Sequence, residues 1–133
     1  MRQVFIHKIA YQTKVKQMSG NPLDSYKQFD PKLIELWNKS QALTYSEGAL
    51  SPKFKLLIAT AIDVENGAVQ GAVALGKRAL QTGATKEEIV EAMRVACSIG
   101  GNQALFTAAI VLQNLFKDTQ NQAINSKPHS EPI

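Results

Sequence analysis

From residue 30 onward, apolar positions recur every three to four residues between short polar breaks, a spacing that predicts successive amphipathic helices. Asp30-Pro31 sets a capping side chain before a proline at the first helical position, and Leu33, Ile34, Leu36 and Trp37 follow, predicting a helix to about Tyr45. The turn Ser46-Glu47-Gly48 closes it. Ser51-Pro52 repeats the cap-and-proline signal ahead of Phe54, Leu57, Ile58, Ala61 and Ile62, a second helix with one expected core face. Asn66-Gly67 interrupts the pattern. Ala68, Gly71, Ala72, Ala74, Gly76 and Ala79 then make a third helix of small residues, expected to be central or to line a tight pocket. Gly83 closes it, and Thr85-Lys86-Glu87-Glu88 forms a capping box for a fourth helix carrying Ile89, Ala92, Met93 and Ala96. Gly100-Gly101 separates a final helix with Leu105, Ala108, Ala109, Leu112, Leu115 and Phe116 in its stripe. Beyond Lys117 the chain turns to Asn, Gln, Ser and Pro, and a flexible tail is expected over 119–133.

The first 28 residues read differently. Tyr11, Val15 and Met18 share one helical face and Phe5 with Ile9 another, before a break at Ser19-Gly20-Asn21-Pro22. A helical N-terminal arm over 1–28, mobile or docked on a partner, is therefore expected ahead of a helical domain over 29–118. Packing on its own protein or on a neighbouring subunit is favoured over a transit peptide or a membrane-surface helix, because the apolar stripe is short and the arm is not rich in Arg and Ser. Charge sharpens this division. The net charge of +4 resides in the arm, where Arg2, Lys8, Lys14, Lys16 and Lys27 face Asp24 alone. A basic arm attracts anionic partners, but without an arginine cluster or a recognition motif no specific nucleic-acid partner is expected.

A length of 133 residues suits one domain, and 44% hydrophobic with 20% charged residues excludes collagen-like, coiled-coil and wholly disordered chains. Charges at Lys53, Lys55, Asp63, Glu65, Lys77 and Arg78 interrupt the stretch read as most apolar, so no membrane span of ~20 residues is expected. The single cysteine, Cys97, leaves no intrachain disulfide and no cysteine-rich zinc site, and His7 and His129 stand near opposite ends. No metal and no cofactor is expected. With no secretory signal pattern, the expected compartment is the cytoplasm.

The stretch from Gly48 to about Leu115 resembles the carboxymuconolactone decarboxylase and alkylhydroperoxidase D-like superfamily. The resemblance lies in Gly48-Ala-Leu-Ser-Pro-Lys53 leading into Leu57-Ile58-Ala59, in Asn66-Gly67, in Arg78 to Ile89 with the Gly83-Ala84-Thr85 turn, and in the Gly100-Gly101 break. It implies an all-α bundle of about five or six helices that assembles into homo-oligomers, commonly trimers or hexamers. For the peroxidase branch it implies a C-x-x-C at the start of the third helix, a histidine four residues after the second cysteine, and a glutamate on the preceding helix. That chemistry needs a thiol activated at a helix N-terminus, a resolving thiol, and a proton relay. Carried over by spacing, the cysteine positions fall on Ala68 and Gly71, the histidine on Leu75 and the glutamate on Leu56. None of these side chains ionises. The decarboxylase branch does not depend on the cysteine pair, but its histidine is Leu75 here as well.

Asp63, Glu65 and Gln70 flank this degenerate site as the polar residues left to line a pocket, although the two carboxylates serve equally to favour the next helix N-terminus by charge. Lys77 and Arg78 read as solvated helix-face charges. Cys97, late in its helix among Val95, Ala96 and Ile99, reads as a buried structural thiol rather than a reactive one, and Trp37 and Phe54 as core filling. The expected function is a homo-oligomeric protein that binds a small apolar or aromatic molecule or acts as a scaffold. The enzyme alternative is retained family activity, either an alkylhydroperoxidase drawing on partner thiols or a lactone decarboxylase-type lyase.

Overall fold

A computed structural model describes residues 21–125, with side-chain surroundings through Lys117. Among the described residues the secondary structure is all helical: α1 (Pro22–Tyr26), α2 (Pro31–Thr44), α3 (Pro52–Glu65), α4 (Val69–Gln81) and α5 (Lys86–Asn125), the last broken at Gly101. The chain divides between Thr44 and Tyr45 into two compact units. Of the arm, residues 1–20 lie outside the described residues.

In the first unit both helices start as their sequences dictate. The Asn21 side chain accepts from the Leu23 N–H at 3.1 Å ahead of Pro22, and Asp30 Oδ1 accepts from the Leu33 N–H at 2.9 Å ahead of Pro31. The short α1 is an element the sequence pattern did not single out, because five residues carry no periodicity. Ile34 is the buried side chain of α2, and Trp37, expected as core, is 48% exposed, lining with Leu23, Tyr26 and Leu33 a trough of about 260 Å³.

The second unit holds the main core, built from Leu56, Leu57, Val64, Ala72, Ala79, Ile89, Met93, Ala104, Ala108 and Val111. Its helix ends follow from local chemistry. Ser51 Oγ accepts from the Phe54 N–H at 3.4 Å to start α3. The capping box at α5 is reciprocal: Thr85 Oγ1 accepts from the Glu88 N–H at 3.1 Å and Glu88 Oε2 from the Thr85 N–H at 2.9 Å. At the end of α4, the Ala84 N–H reaches back to Ala79 O and the Gly83 N–H to Leu80 O. Such a double closure requires a left-handed residue, supplied by Gly83 at φ 100°.

The third-helix expectation of close backbone approach is met at Gly76, where an added Cβ would stand 2.8 Å from Leu115 Cδ1. The α3 expectation is corrected. Of its predicted core face Leu57 is buried as expected, but Phe54, Ile58 and Ile62 are about half exposed and Ala61 half-buried, while Leu56, Thr60 and Val64 turn inward beside Leu57. Thr60 enters the core because its hydroxyl donates to Leu56 O at 2.8 Å and so needs no other partner.

Two expectations about α5 change. Residues 95–116 carry no Asp, Glu, Lys or Arg, and Lys86–Lys117 is long and apolar enough to cross a membrane by length and composition, with 28% of its apolar window buried. The charges at residues 53–78 that argue against a span all lie upstream of this uncharged run. This helix is interrupted at Gly101, whose φ 64° and ψ −143° suit glycine, and both halves pack inward through Ile89, Met93, Ala96, Ala104, Ala108 and Val111. Past a second irregular residue, Phe116, the helical backbone continues to Asn125, beyond the expected start of the tail. Residues 126–133 lie outside the described residues.

Candidate functional site

The four positions implied by the resemblance lie on two helices joined by a tight turn. Leu56 is buried on α3, Ala68 is the N-cap of α4, Gly71 sits in its first turn, and Leu75 follows one turn later. Leu56 and Leu75 both belong to the apolar core, whereas Ala68 is exposed and offers α4 no side-chain cap. The turn itself is closed by backbone bonds, the Ala68 N–H to Asp63 O at 2.8 Å and the Gly67 N–H to Val64 O at 3.2 Å.

That closure brings Asp63 against the start of α4. Its Oδ2 occupies the place a β-carbon on Gly71 would take, and its Cγ stands 3.2 Å from that point. Partial burial pushes the Asp63 carboxyl above the ordinary aspartate range, since removal from water disfavours the charged form. Glu65 diverges from it. Its Cγ lies 3.2 Å from where a Cβ on Gly100 would be, and it lines a trough with Ile62 and Ile99 on the side toward α5. Gln70 is exposed on α4. The three polar candidates are thus not one cluster, because residues 63 and 65 point about 200° apart around a helix.

Two polar residues near the turn escaped the sequence reading. A Cβ on Gly67 would meet Gln103 Nε2 at 2.9 Å and Thr107 Oγ1 at 4.0 Å, so the second half of α5 brings an amide and a hydroxyl to this turn. Thr107 is buried and donates to Gln103 O at 2.9 Å. Their signal was a polar pair at i, i+4 inside an uncharged stretch.

A second feature lies on the opposite side of α3. Two overlapping troughs, about 340 and 490 Å³, share Ile58, Ala61 and Val95 and together run from Phe54 and Glu88 to Glu65 and Ile99. α3 and the first half of α5 therefore lie side by side, running the same way. At one end Lys53 Nζ donates to Glu88 Oε1 at 2.8 Å. This bond, with the Thr85 N–H bond, holds the Glu88 carboxyl below its ordinary range. Cys97, expected to be buried, is half-buried against the core. Phe54, expected as core, is 51% exposed in the trough. Among the described residues no group of three or more His, Cys, Asp or Glu is placed to hold a metal ion.

The profile of the Carboxymuconolactone decarboxylase family matches residues 31–114, more than half of the chain, and the chain belongs to that family. The fold agrees with it. The crystal structure of an apo carboxymuconolactone decarboxylase family protein from Legionella pneumophila is similar at a TM-score of 0.69 and 25% identity, over 83% of this chain and 96% of that one. No curated protein matches the chain.

Proposed function

We propose that this chain is a non-redox member of its family, a homo-oligomeric binding or scaffold protein in which the thiol peroxidase site is degenerate. The observation that carries the reading is the Asp63 carboxylate standing in the space a side chain at residue 71 would need. Leucine, alanine and glycine at residues 56, 68, 71 and 75 supply neither a thiol to form a sulfenic acid nor a base to move its proton. Cys97 lies on another helix, half-buried against the core. With the redox groups replaced, what the family scaffold retains is its helix packing and its apolar surfaces, which suit a second subunit or a small apolar or aromatic molecule.

The test is a thiol-dependent hydroperoxide assay on the full chain, run beside native mass spectrometry. The reading expects no rate above buffer and a homo-oligomer, with any bound small molecule seen as added mass. A rate that disappears on changing Cys97→Ser overturns it. One observation favours a second reading, retained lyase-type activity on a cyclic acid: a carboxyl held above its usual range is suited to proton transfer. Turnover of such an acid, lost in Asp63→Asn, would carry that reading instead.

A further inference from the structure

The turn between α3 and α4 carries the chain's one Asn-Gly pair, Asn66-Gly67. Asparagine is thermolabile because the backbone nitrogen of the next residue can attack its carboxamide carbon, and a following glycine, with no β-carbon, leaves that approach open. The turn makes the reaction available in the folded chain. Asn66 is exposed and stands outside the flanking helices, as the C-cap of α3 at φ −74° and ψ −5°. Gly67 adopts φ 74°, in the left-handed region that suits glycine. The nitrogen of the Asn66–Gly67 peptide is held by the Gly67 N–H bond to Val64 O at 3.2 Å, longer than the 2.8 Å bond from the Ala68 N–H to Asp63 O beside it. Rotation about the Asn66 ψ angle toward ring closure therefore gives up one long hydrogen bond. Asn38, Asn102 and Asn114 are exposed too, but each lies inside a helix before a lysine, glutamine or leucine, and the Asn114 carboxamide donates to Ile110 O at 2.8 Å.

We propose that Asn66 is a site of self-modification in the folded chain: ring closure with Gly67 gives a cyclic imide, whose hydrolysis leaves aspartate or isoaspartate in the α3–α4 turn. The sequence of steps balances with water as its co-reactant. The Gly67 nitrogen forms a bond to Asn66 Cγ and gives up its proton, and the carboxamide nitrogen leaves with that proton as ammonia. Water then opens the imide at either carbonyl. Opening at Cγ restores the ordinary backbone with a carboxylate at residue 66. Opening at the main-chain carbonyl routes the backbone through Cγ and lengthens it by one carbon.

The two products differ in consequence. A carboxylate at residue 66 is favourable to the N-terminus of α4 and unfavourable to the C-terminus of α3, so its two effects offset. The added backbone carbon enters a turn closed by the bonds of Gly67 and Ala68 to α3, with the Gln103 amide of α5 lying 2.9 Å from where a β-carbon on Gly67 would be. The isoaspartyl form therefore loosens the packing of α4 on α3. The inference goes beyond the proposed function and is independent of it, since it needs neither an oligomer nor a ligand.

The test ages the full-length chain in mildly alkaline buffer, folded and urea-unfolded side by side, and maps its peptides by mass spectrometry. Among residues 38, 66, 102 and 114 of the folded chain, the expected gain of about one mass unit falls on residue 66, at a rate no more than ~10-fold below the unfolded chain's, the order of factor that one net hydrogen bond imposes. Isoaspartate should appear beside aspartate among the products. Asn66→Gln, which needs a larger ring, should remove the gain. Asn66→Asp should keep the melting temperature of the fresh chain, whereas the isoaspartyl fraction, separated by chromatography, should melt lower. A folded chain unchanged at residue 66 while the same residue converts in urea overturns the proposal. Conversion at residue 66 with an isoaspartyl fraction that melts with Asn66→Asp overturns the loosening of the turn and leaves the modification standing.

Discussion

Two sides of α3 have opposite characters. One carries Leu56, Leu57, Thr60 and Val64 into the core, with Asp63 at its edge against the start of α4. The other presents Phe54, Ile58 and Ile62 to solvent beside Val95 and Ile99. On the inward side, the place where the family resemblance implies a glutamate holds a core leucine. On the outward side, bulky aliphatic residues persist although burial within the described chain does not require them. The contrast teaches that a helix can lose the groups for one task while its other face stays suited to another. It also assigns different costs to substitutions only two residues apart.

The largest expected effect follows from placing the implied carboxylate back on the inward side. Leu56→Glu sets a charge at a position 3% exposed among apolar neighbours. It should destabilise the second unit by about 3 kcal/mol or more, measured by urea unfolding at neutral pH. Ile58→Glu, two residues away and 48% exposed, should change the unfolding free energy of the dissociated subunit by no more than ~0.5 kcal/mol. Equal losses for the two would erase the distinction between the faces.

A smaller loss is expected where α4 meets α5. Gly76→Val needs room already taken by the Leu115 side chain, and overpacking of this kind costs about 1–3 kcal/mol. Gly83 lies in open space but at φ 100°, so Gly83→Ala should cost about 1 kcal/mol or more through backbone strain alone. Pairing Gly76→Val with Leu115→Ala should recover part of the first loss and none of the second, which a double-mutant cycle would measure.

At the start of α5, Thr85→Ala removes the hydroxyl that accepts from the Glu88 N–H and should cost about 1 kcal/mol. Glu88 adds a pH dependence. Its folded-state pKa is held down by Lys53 and Thr85, so the stability it contributes is present above the ordinary glutamate range and is lost as pH falls through the depressed folded value. Glu88→Gln should flatten that acid limb of the unfolding curve.

The contrast between the faces of α3 also marks where sequence reasoning stopped. Helix boundaries were legible because their causes are local: Ser51 before Pro52, Thr85 with Glu88, and glycine at 83 and 101. The inward face was not, because α3 holds two apolar stripes at helical spacing, one through residues 54, 58 and 62 and one through 56, 60 and 64. Periodicity shows a stripe but not which neighbour covers it, and Thr60 hid the true one by placing a self-satisfied hydroxyl in it. The resemblance sets its implied positions by spacing at 56, 68, 71 and 75, and the structure puts them on neighbouring helices. The approach of Asp63 to Gly71 was not legible, since it depends on how the Asn66-Gly67 turn folds α4 back along α3.

The smallest expected effect tests that approach directly. Asp63 is half-buried, and desolvation raises its folded-state pKa above the ordinary aspartate value. A raised carboxyl contributes stability that is fully present below the unfolded pKa of roughly 3.9 and is lost as pH rises through the folded value. At pH 7 the charged side chain therefore works against folding, and Asp63→Asn should stabilise the chain by a few tenths of a kcal/mol. The two proteins should converge as pH falls below the ordinary aspartate range, in a comparison of melting curves from pH 3 to 7. Gly71→Ala supplies the steric counterpart: its β-carbon takes the carboxylate's place and forces Asp63 toward solvent, so the benefit of Asp63→Asn should shrink in that background. If Asp63→Asn instead destabilises the chain at neutral pH, the carboxylate is held by favourable interactions in its charged form, and its contact with the start of α4 supports the fold.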